Sequence, residues 1–394
     1  MRLCMLRKKI SIPDKRKGKN TRQRIFPPGI IAACVSAVLM ANRGGQAASV
    51  FREFIPYRES SSVDATSTSY RYEREFARTL WYYETLRRYY SEDYSTAIPG
   101  LENTCFLTSG TDQMVPQGIC IAGDFLLISA YDKSGKEKSV LYVLSNEDAA
   151  NRELLTTLVL PDRNHVGGIA YDGDNLWVAK STDKCLSKIS YMHIAEAVLS
   201  GADVYMLKDY DGEFNCGVIA SFVAYQDGRL WVGTSHSLLS RKGVLTVFRK
   251  EKSRGNADAA TGTEVFETGG KAVNEDTAEW IRQFSLEIPD YAQGIAFFSE
   301  DGTDYLLLSA SHGRFQSSGL YLYEETISDE KVMLSANAQL EMPPMAEELV
   351  SDGEYTYCLF ESAATCYSTV EGLRCEYPVD RVCALSNRLL AESR

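Results

Sequence analysis

The sequence predicts an all-β protein whose main domain consists of repeated four-stranded units. Five stretches share one plan, in which a turn containing Gly and Asp joins two short apolar strands: residues 116–132, 166–182, 221–236, 292–313 and 346–364. Gly and Asp supply the positive φ that a tight hairpin requires. The hairpins recur at intervals of about 50 to 70 residues, which is typical of a repeat architecture.

Two further apolar segments follow each of the first four hairpins. They read SVLYVLSNED and ELLTTLVLPD after the first, LSKISYMHI and ADVYMLKDY after the second, GVLTVFRKE and IRQFSLEIPD after the third, and SGLYLYEET and NAQLEMPP after the fourth. Four strands in each repeat correspond to one blade of a β-propeller. The sequence therefore predicts a five-bladed β-propeller, with six blades as the alternative.

The fifth repeat has a third strand, PVDRVCALSN, but lacks a fourth strand before the sequence ends. The segment LENTCFLTSG, residues 101–110, lies directly before the first hairpin and is available as an extra strand. We predict that this segment completes the last blade, because a closed ring leaves no exposed sheet edge. The propeller is accordingly predicted to span residues 101–394.

The N-terminal region is typical of a targeting segment. Residues 2–24 contain ten Lys or Arg and one Asp, and residues 29–41 form an apolar run followed by small residues around Gly45 and Ala47. This order predicts a signal peptide within residues 1–48 and hence a secreted or extracytoplasmic protein. The alternative is an uncleaved anchor in which residues 29–41 tether the protein to a membrane, although that run is short for a spanning helix.

Residues 49–100 differ in character from the regions on either side. The stretch 60–69 is polar and is predicted to be a linker, whereas residues 70–94 contain no Gly or Pro and are rich in aromatic residues. Phe76, Leu80 and Tyr83 fall at helical spacing. We therefore predict a helix that packs on the outside or the base of the propeller.

The distribution of charge argues against a nucleic-acid partner. The net charge is −11, and most of the N-terminal region is basic, so the rest of the chain is more acidic than the total suggests. Binding to phosphate groups requires a basic surface.

The cysteines suggest an oxidising compartment. Ten are present, and eight would remain after removal of the signal peptide, which is an even number compatible with disulfides. No CxxC pair occurs, which argues against a zinc ribbon or a thioredoxin-like site. Propeller geometry predicts three pairs: Cys366 with Cys375, Cys185 with Cys216, and Cys105 with Cys383.

Polar residues gather at one end of the predicted channel. In each blade the start of the first strand and the end of the second strand meet at the same rim. The candidate ligand-binding residues at these positions are Gln117, Asp132, His165, Asn215, Gln293 and Glu361. Concave sites with convergent polar groups bind ligands, whereas the simpler alternative is that the rim is polar because it meets water.

Three further residues at this rim are candidates for catalysis or metal binding. His236 and His312 follow their Asp-Gly turns by eight and ten residues, so the two histidines have the same strand phase. With Glu348 they form a candidate acid/base group or a zinc site, since zinc accepts His nitrogen and carboxylate oxygen. Calcium bound by Glu348, Asp132 and Asn215 is the other metal hypothesis. No G-x-S-x-G motif supports a serine nucleophile.

Three stretches carry a resemblance to known families: VPQGICIAGDFLLISAYD, HVGGIAYDGDNLWV and LFESAATCY. They resemble the repeats of secreted bacterial propeller proteins in the broad YVTN-type and gluconolactonase-like group, over about residues 101–390. Gluconolactonase-like enzymes hold a channel metal with acidic and amide side chains. The resemblance implies that Glu348 and Asn215 occupy comparable positions, although a full ligand set does not map. The QGI hairpins also resemble those of plant-type glutaminyl cyclases, which are five-bladed.

These observations lead to two functional hypotheses. The first is an exported binding module at the cell envelope, whose channel mouth takes a small molecule, a glycan or an envelope protein and does not bind nucleic acid. The alternative is a metal-dependent hydrolase, lactonase or cyclotransferase with its site in the channel. A divalent cation, calcium or zinc, is the cofactor that the second hypothesis implies.

Overall fold

Five predominantly antiparallel sheets surround a central channel in the computed structural model, which describes residues 66–107, 109–236, 242–251, 279–328 and 331–393. The first strand of every sheet contacts the first strands of both neighbouring sheets, so that the ring closes on itself. The prediction of a five-bladed β-propeller is therefore confirmed. The predicted signal or anchor segment and most of the predicted linker, within residues 1–65, lie outside the described residues.

A short helical region and three strands precede the first hairpin. They are α1 (Glu73–Tyr82), α2 (Glu84–Tyr89), β1 (Tyr90–Ala97), β2 (Thr104–Cys105) and β3 (Gly110–Thr111). The predicted helix thus ends before residue 94, and the chain continues directly into a strand. No helix in the described parts of the chain is long and apolar enough to cross a membrane.

The first two blades follow in chain order. Blade one contains β4 (Met114–Ala122), β5 (Phe125–Asp132), β6 (Val140–Ser145) and β7 (Leu154–Val159). Blade two contains β8 (Val166–Tyr171), β9 (Asn175–Lys180), β10 (Cys185–Ser190) and, after helix α3 (Tyr191–Leu199) and strand β11 (Val204–Met206), its outermost strand β12 (Gly212–Asn215).

The remaining blades complete the ring. Blade three contains β13 (Phe222–Gln226), β14 (Arg229–Thr234), β15 (Gly243–Glu251) and β16 (Glu279–Ile288). Blade four contains β17 (Ala292–Glu300), β18 (Thr303–Ala310), β19 (Ser318–Ser328) and β20 (Lys331–Met342). Blade five contains β21 (Ala346–Ser351), β22 (Tyr355–Phe360) and, after helix α4 (Thr365–Ser368), β23 (Arg381–Ser386), which is followed by α5 (Asn387–Ala391).

The strand that closes the ring is β1, so the prediction that residues 101–110 close it is wrong. β1 pairs antiparallel with β23, from Tyr90 opposite Leu385 to Ala97 opposite Arg381, and it forms the outermost strand of blade five. Within residues 101–110, β2 instead pairs with β3 in a small separate sheet. The principle of closure by an N-terminal strand holds, but the strand comes from the region that was predicted to be helical.

The predicted fourth strand of blade two also differs from the observed one. The side chain of Ser190 accepts a hydrogen bond from the amide of Met192 and caps α3, so the third strand ends there and His193 lies in a helix. The segment ADVYM then forms β11, which pairs in parallel with β7 of blade one. Blade two is completed by β12 instead.

The N-terminal helices are fixed to blade five by a buried ion pair. The carboxylate of Asp380 is fully buried and accepts hydrogen bonds from the amides of Arg71 and Tyr72, both at 2.6 Å. The Arg381 guanidinium lies 3.0 Å from Asp380 and 3.8 Å from the centre of the Phe76 ring. Leu86 of α2 is buried in the same core as β20 and β23. These contacts position β1 against its partner strand.

The three predicted disulfides do not form: no two of the eight described cysteines are bonded to each other. Cys383 lies opposite Cys358 on β22, whereas Cys105 lies on β2 outside blade five. The Cys216 thiol donates to the carbonyl oxygens of Lys184 and Val218. Most of these cysteines are buried and pack as small hydrophobic side chains.

Candidate functional site

The start of each first strand and the end of each second strand meet at one end of the channel, which we call the mouth. At the mouth, the Gln117 side-chain amide donates to Glu361 Oε2 at 2.8 Å. Glu361 also accepts a hydrogen bond from the carboxyl group of Glu347, which is almost fully buried. The structure therefore brings together the predicted residues Gln117 and Glu361 and adds Glu347 to them.

Of the two carboxyl groups, Glu347 has the pKa that is raised well above its usual range, and Glu361 loses its proton near pH 7. Burial raises the pKa of Glu347 well above its usual range, and the Glu361 carboxylate raises it further. Burial also raises the pKa of Glu361 to about 7, against the opposing effects of Gln117, Lys133 and Arg314. Two close carboxyl groups cannot both ionise without strong repulsion. Glu347 is therefore the proton donor of the pair, and Glu361 is the acceptor.

Two cations and two aromatic rings flank this carboxyl pair. Lys133 Nζ donates to the hydroxyl of Tyr131 at 3.2 Å and lies 5.6 Å from the centre of the Tyr367 ring. The guanidinium of Arg314 lies 4.7 Å from the same ring centre. Cations held over aromatic faces stay partly desolvated and remain available to a ligand anion. This part of the mouth thus combines the carboxyl pair with positive charge.

His165 forms the next section of the rim. Its ring centre lies 4.6 Å from that of Tyr131. Although the residue keeps an exposed edge, desolvation of the ring and the nearby Lys133 ammonium lower its pKa to about 4. The imidazole is therefore neutral at physiological pH and offers one donor and one acceptor.

His236 and His312 lie at the same end of the channel, on either side of Tyr291. The ring of His236 stacks on Tyr291 at 5.5 Å between centres, and His312 meets the same tyrosine edge-on at 5.0 Å. His236 Nδ1 lies 2.7 Å from an oxygen of Asp290. This group belongs to blades three and four, whereas the carboxyl pair belongs to blade five.

Glu348 does not join the histidines but lies across the channel axis. One of its oxygens, Oε2, accepts hydrogen bonds from the amides of Ile119 at 2.7 Å and Ile169 at 2.9 Å, and the amide of Val223 also stabilises the carboxylate. Burial nevertheless raises its pKa well above the usual range. Within the described ranges, no group of three or more His, Cys, Asp and Glu side chains is placed to hold a metal ion.

Glycines provide the space that Glu348 occupies. A Cβ at Gly168 would lie 2.4 Å from Glu348 Oε1, and a Cβ at Gly118 would lie 3.0 Å from Oε2. The repeat places Gly118, Gly168 and Glu348 at the same step of their strands, within QGI, GGI and EEL. Gly294 occupies this step in blade four, so one blade carries a carboxyl group where three others carry no side chain.

The other predicted ligand-binding residues lie elsewhere or make local contacts. Asp132 turns into its own loop and accepts hydrogen bonds from Ser134 Oγ at 2.6 Å and from the amide of Glu137 at 2.8 Å. The repeat pattern predicts Asn215 at the start of blade three. In the structure it is the last residue of β12, the outermost strand of blade two, and its side chain accepts a hydrogen bond from the amide of Gly217. Gln293 lies half-buried on β17, in register with Gln117.

Sequence reasoning missed several residues of the mouth. Glu347 is the main omission, and a signal for it was present: in the aligned repeats Glu347, rather than Glu348, matches Gln117. Lys133, Arg314 and Tyr291 lie just outside the strands, where the repeat gives no register. Their positions depend on loop conformation, which hydrophobic periodicity does not encode.

Comparisons with known proteins find weak structural similarities. No family model and no curated protein matches the sequence. Similar solved structures include Myxococcus xanthus glutaminyl cyclase, with a TM-score of 0.35 and 11% identity over 69% of this chain and 90% of that one. Another is a putative oxidoreductase (glucose dehydrogenase) of Thermus thermophilus, with a TM-score of 0.33 and 12% identity over 69% and 96%.

A third similar structure is the nidogen/laminin complex, with a TM-score of 0.33 and 9% identity over 64% of this chain and 76% of that one. At these identities the matched proteins carry no argument about what this chain binds or catalyses. The resemblance to YVTN-type and gluconolactonase-like proteins stays a prediction, because no family model supports it.

Proposed function

We propose that the propeller binds a small polar ligand at its mouth and that Glu347 and Glu361 recognise it. The carboxyl pair is the observation that carries this proposal. Burying a carboxyl group is costly unless a function or a complete set of partners offsets the cost. Here two such groups lie together at the mouth of the channel and are joined by a hydrogen bond, which is the kind of perturbed pair that marks functional sites.

The surrounding charges favour a hydroxylated carboxylate, such as a sugar acid, as the ligand. The protonated Glu347 and the Glu361 carboxylate allow the pair both to donate to and to accept from hydroxyl groups. Lys133 and Arg314 lie close enough to influence the Glu361 carboxyl and would attract a ligand carboxylate. The rings of Tyr131 and Tyr367 provide flat apolar surfaces beside them.

We expect D-glucuronate and D-gluconate to bind more tightly than D-glucose, because D-glucose lacks the carboxylate. Replacing Glu361→Gln should strengthen the binding of sugar acids at pH 8 about fivefold, because the neutral amide keeps a donor and an acceptor but does not repel the ligand carboxylate, and such a repulsion costs about 1 kcal/mol. Isothermal titration of the purified protein with the three sugars measures this. Glu354→Gln, in a turn at the opposite end of the channel, is the matched control and should leave binding unchanged.

The binding of sugar acids should weaken as the pH rises from 6 to 8. Deprotonation of the pair near pH 7 adds a negative charge that repels the ligand carboxylate. The binding of D-glucose, which has no charge, should change less. Equal affinities of the wild-type protein and Glu361→Gln for all three sugars would contradict the proposal.

The same carboxyl pair favours acid/base catalysis as the second candidate, in line with the hydrolase or cyclotransferase hypothesis. Paired carboxyl groups with separated pKa values divide the roles of acid and base between them. In lactone hydrolysis, the water oxygen would attack the carbonyl carbon while Glu361 accepts a proton from that water. Glu347 would donate a proton to the ring oxygen as its bond to the carbonyl carbon breaks. Turnover of D-glucono-1,5-lactone that disappears in Glu361→Gln would favour this candidate over simple binding.

We also propose that the protein acts outside the cytoplasm. The support is the basic region followed by the apolar run 29–41, which lies outside the described residues. The mature chain is expected to begin near Ala48 or Ser49, and N-terminal sequencing of exported protein measures this. Retention of Cys34 in the mature chain would contradict cleavage and support a tether instead.

A further inference from the structure

A cavity of about 210 Å³ lies in the channel beyond Glu348, and we call it the axial pocket. Each of the five innermost strands contributes three or four consecutive residues to its wall. The wall extends to Tyr171 and Gln226, which are the last residues of β8 and β13 and directly precede the hairpin turns. The axial pocket therefore occupies the end of the channel opposite the mouth and is separate from the carboxyl pair.

The wall of the axial pocket exposes polar and apolar atoms in equal measure and includes aromatic residues of three blades, Tyr171, Tyr225 and Phe297. Ile119 and Ile169 line its inner end, and their amides hold Glu348.

The outer end of the axial pocket is surrounded by negative charge. The five hairpin turns that join first to second strands carry seven carboxylates and no lysine or arginine. This charge reaches the pocket wall: the pKa of Tyr225 is raised by burial and then by the carboxylates of Asp172, Asp174 and Asp227. A cavity with low-dielectric walls and an entrance of one sign concentrates ions of the opposite sign.

We propose that the axial pocket is a second binding site, which takes a small organic cation with a compact apolar body. The apolar body packs against the rings of Tyr171, Tyr225 and Phe297, and cation–π attraction adds to this contact. The carboxylates of the turns attract the ammonium group. An anion of the same shape is repelled, and a neutral molecule lacks the electrostatic contribution.

Three compounds of matched shape test the proposal: 2-phenylethylammonium, 2-phenylethanol and 3-phenylpropanoate. Isothermal titration of the full-length protein should show the tightest binding for the ammonium compound, weaker binding for the alcohol and none for the carboxylate. Added salt should weaken the binding of the ammonium compound, because the turn carboxylates are exposed to solvent. Equal binding of all three, or binding of none, would overturn the proposal.

Substitutions in the turns test the electrostatic part. Asp174→Asn combined with Asp227→Asn should weaken the binding of 2-phenylethylammonium about fivefold, which corresponds to two exposed charge interactions, and should leave the alcohol unaffected. Asn is suitable at position 227 because Asp227 has a φ of 52°, which Asn tolerates. Asp112→Asn, an exposed change at the mouth end, is the matched control and should have no effect.

A second variant tests the location. Ala224 lines the axial pocket and is half-buried, so Ala224→Leu should fill part of the cavity and reduce the binding of 2-phenylethylammonium. A folded Ala224→Leu protein that binds this compound as tightly as the wild-type protein does would overturn the proposal. Glu361→Gln should leave this binding intact, which separates the axial pocket from the proposed function of the mouth.

Discussion

A chain that begins at residue 98 is expected to lose its cooperative fold, whereas a chain that begins at residue 66 keeps it. The shorter chain lacks β1, so the edge of β23 becomes exposed. It also loses the buried side chains of Phe76, Leu86 and Tyr89, each worth about 1.5–3 kcal/mol. Together with the lost hydrogen-bond ladder, these contributions approach the usual net stability of a domain, about 5–15 kcal/mol.

Thermal unfolding followed by circular dichroism, combined with size-exclusion chromatography, measures this effect. The chain that begins at residue 66 is the matched control, because it retains every described contact between the N-terminal helices and blade five. The assignment of β1 as the closing strand would be wrong if the chain beginning at residue 98 remained monomeric with an unchanged Tm.

Glu348→Ala is expected to destabilise the protein by at least about 3 kcal/mol. The carboxylate accepts hydrogen bonds from amides on three different blades, and each buried donor that loses its acceptor costs about 1–3 kcal/mol. Glu348→Gln keeps an acceptor oxygen of the same reach and should cost much less. Urea denaturation of the three proteins measures the difference, and equal losses for Ala and Gln would contradict this role of Glu348.

The pH dependence of these variants has a defined sign. Burial raises the pKa of Glu348 in the folded protein, so the folded state holds its proton more tightly than the unfolded state. The stabilisation from this group is complete below the unfolded pKa of about 4.3 and is lost as the pH rises through the folded pKa. Relative to Glu348→Gln, the wild-type protein should therefore become less stable between pH 5 and pH 8. Parallel stability profiles would indicate that the carboxyl group stays ionised.

The hairpins were predictable because their information is local. Asp227 and Asp301 take positive φ values in turns that the sequence marks with Asp-Gly. In blades one, three and four the third and fourth strands also fall where the apolar segments predict them. Blade two differs because Ser190, an efficient helix cap, interrupts the pattern and displaces the apolar segment that follows.

The closing strand carries no such local information. YSEDYSTA continues an aromatic stretch without Gly or Pro, and its partner strand lies far away in the chain. The site was also hard to predict from local sequence. Glu347 and Glu348 are adjacent, and because side chains on a strand alternate in direction, Glu347 lies at the mouth and Glu348 on the channel axis. The even number of cysteines predicted disulfides, but composition does not specify which thiols meet.

The pairing of β1 with β23 also has a consequence for the time course of synthesis. Tyr90 and Leu385, which face each other across this pair, are separated by roughly 300 residues, which a ribosome adds in about 15 to 60 seconds. During that interval the blades can form in sequence, but β1 has no partner strand to join. The closing event must therefore follow translation of β23, and until then the unpaired edge is exposed to association with other chains.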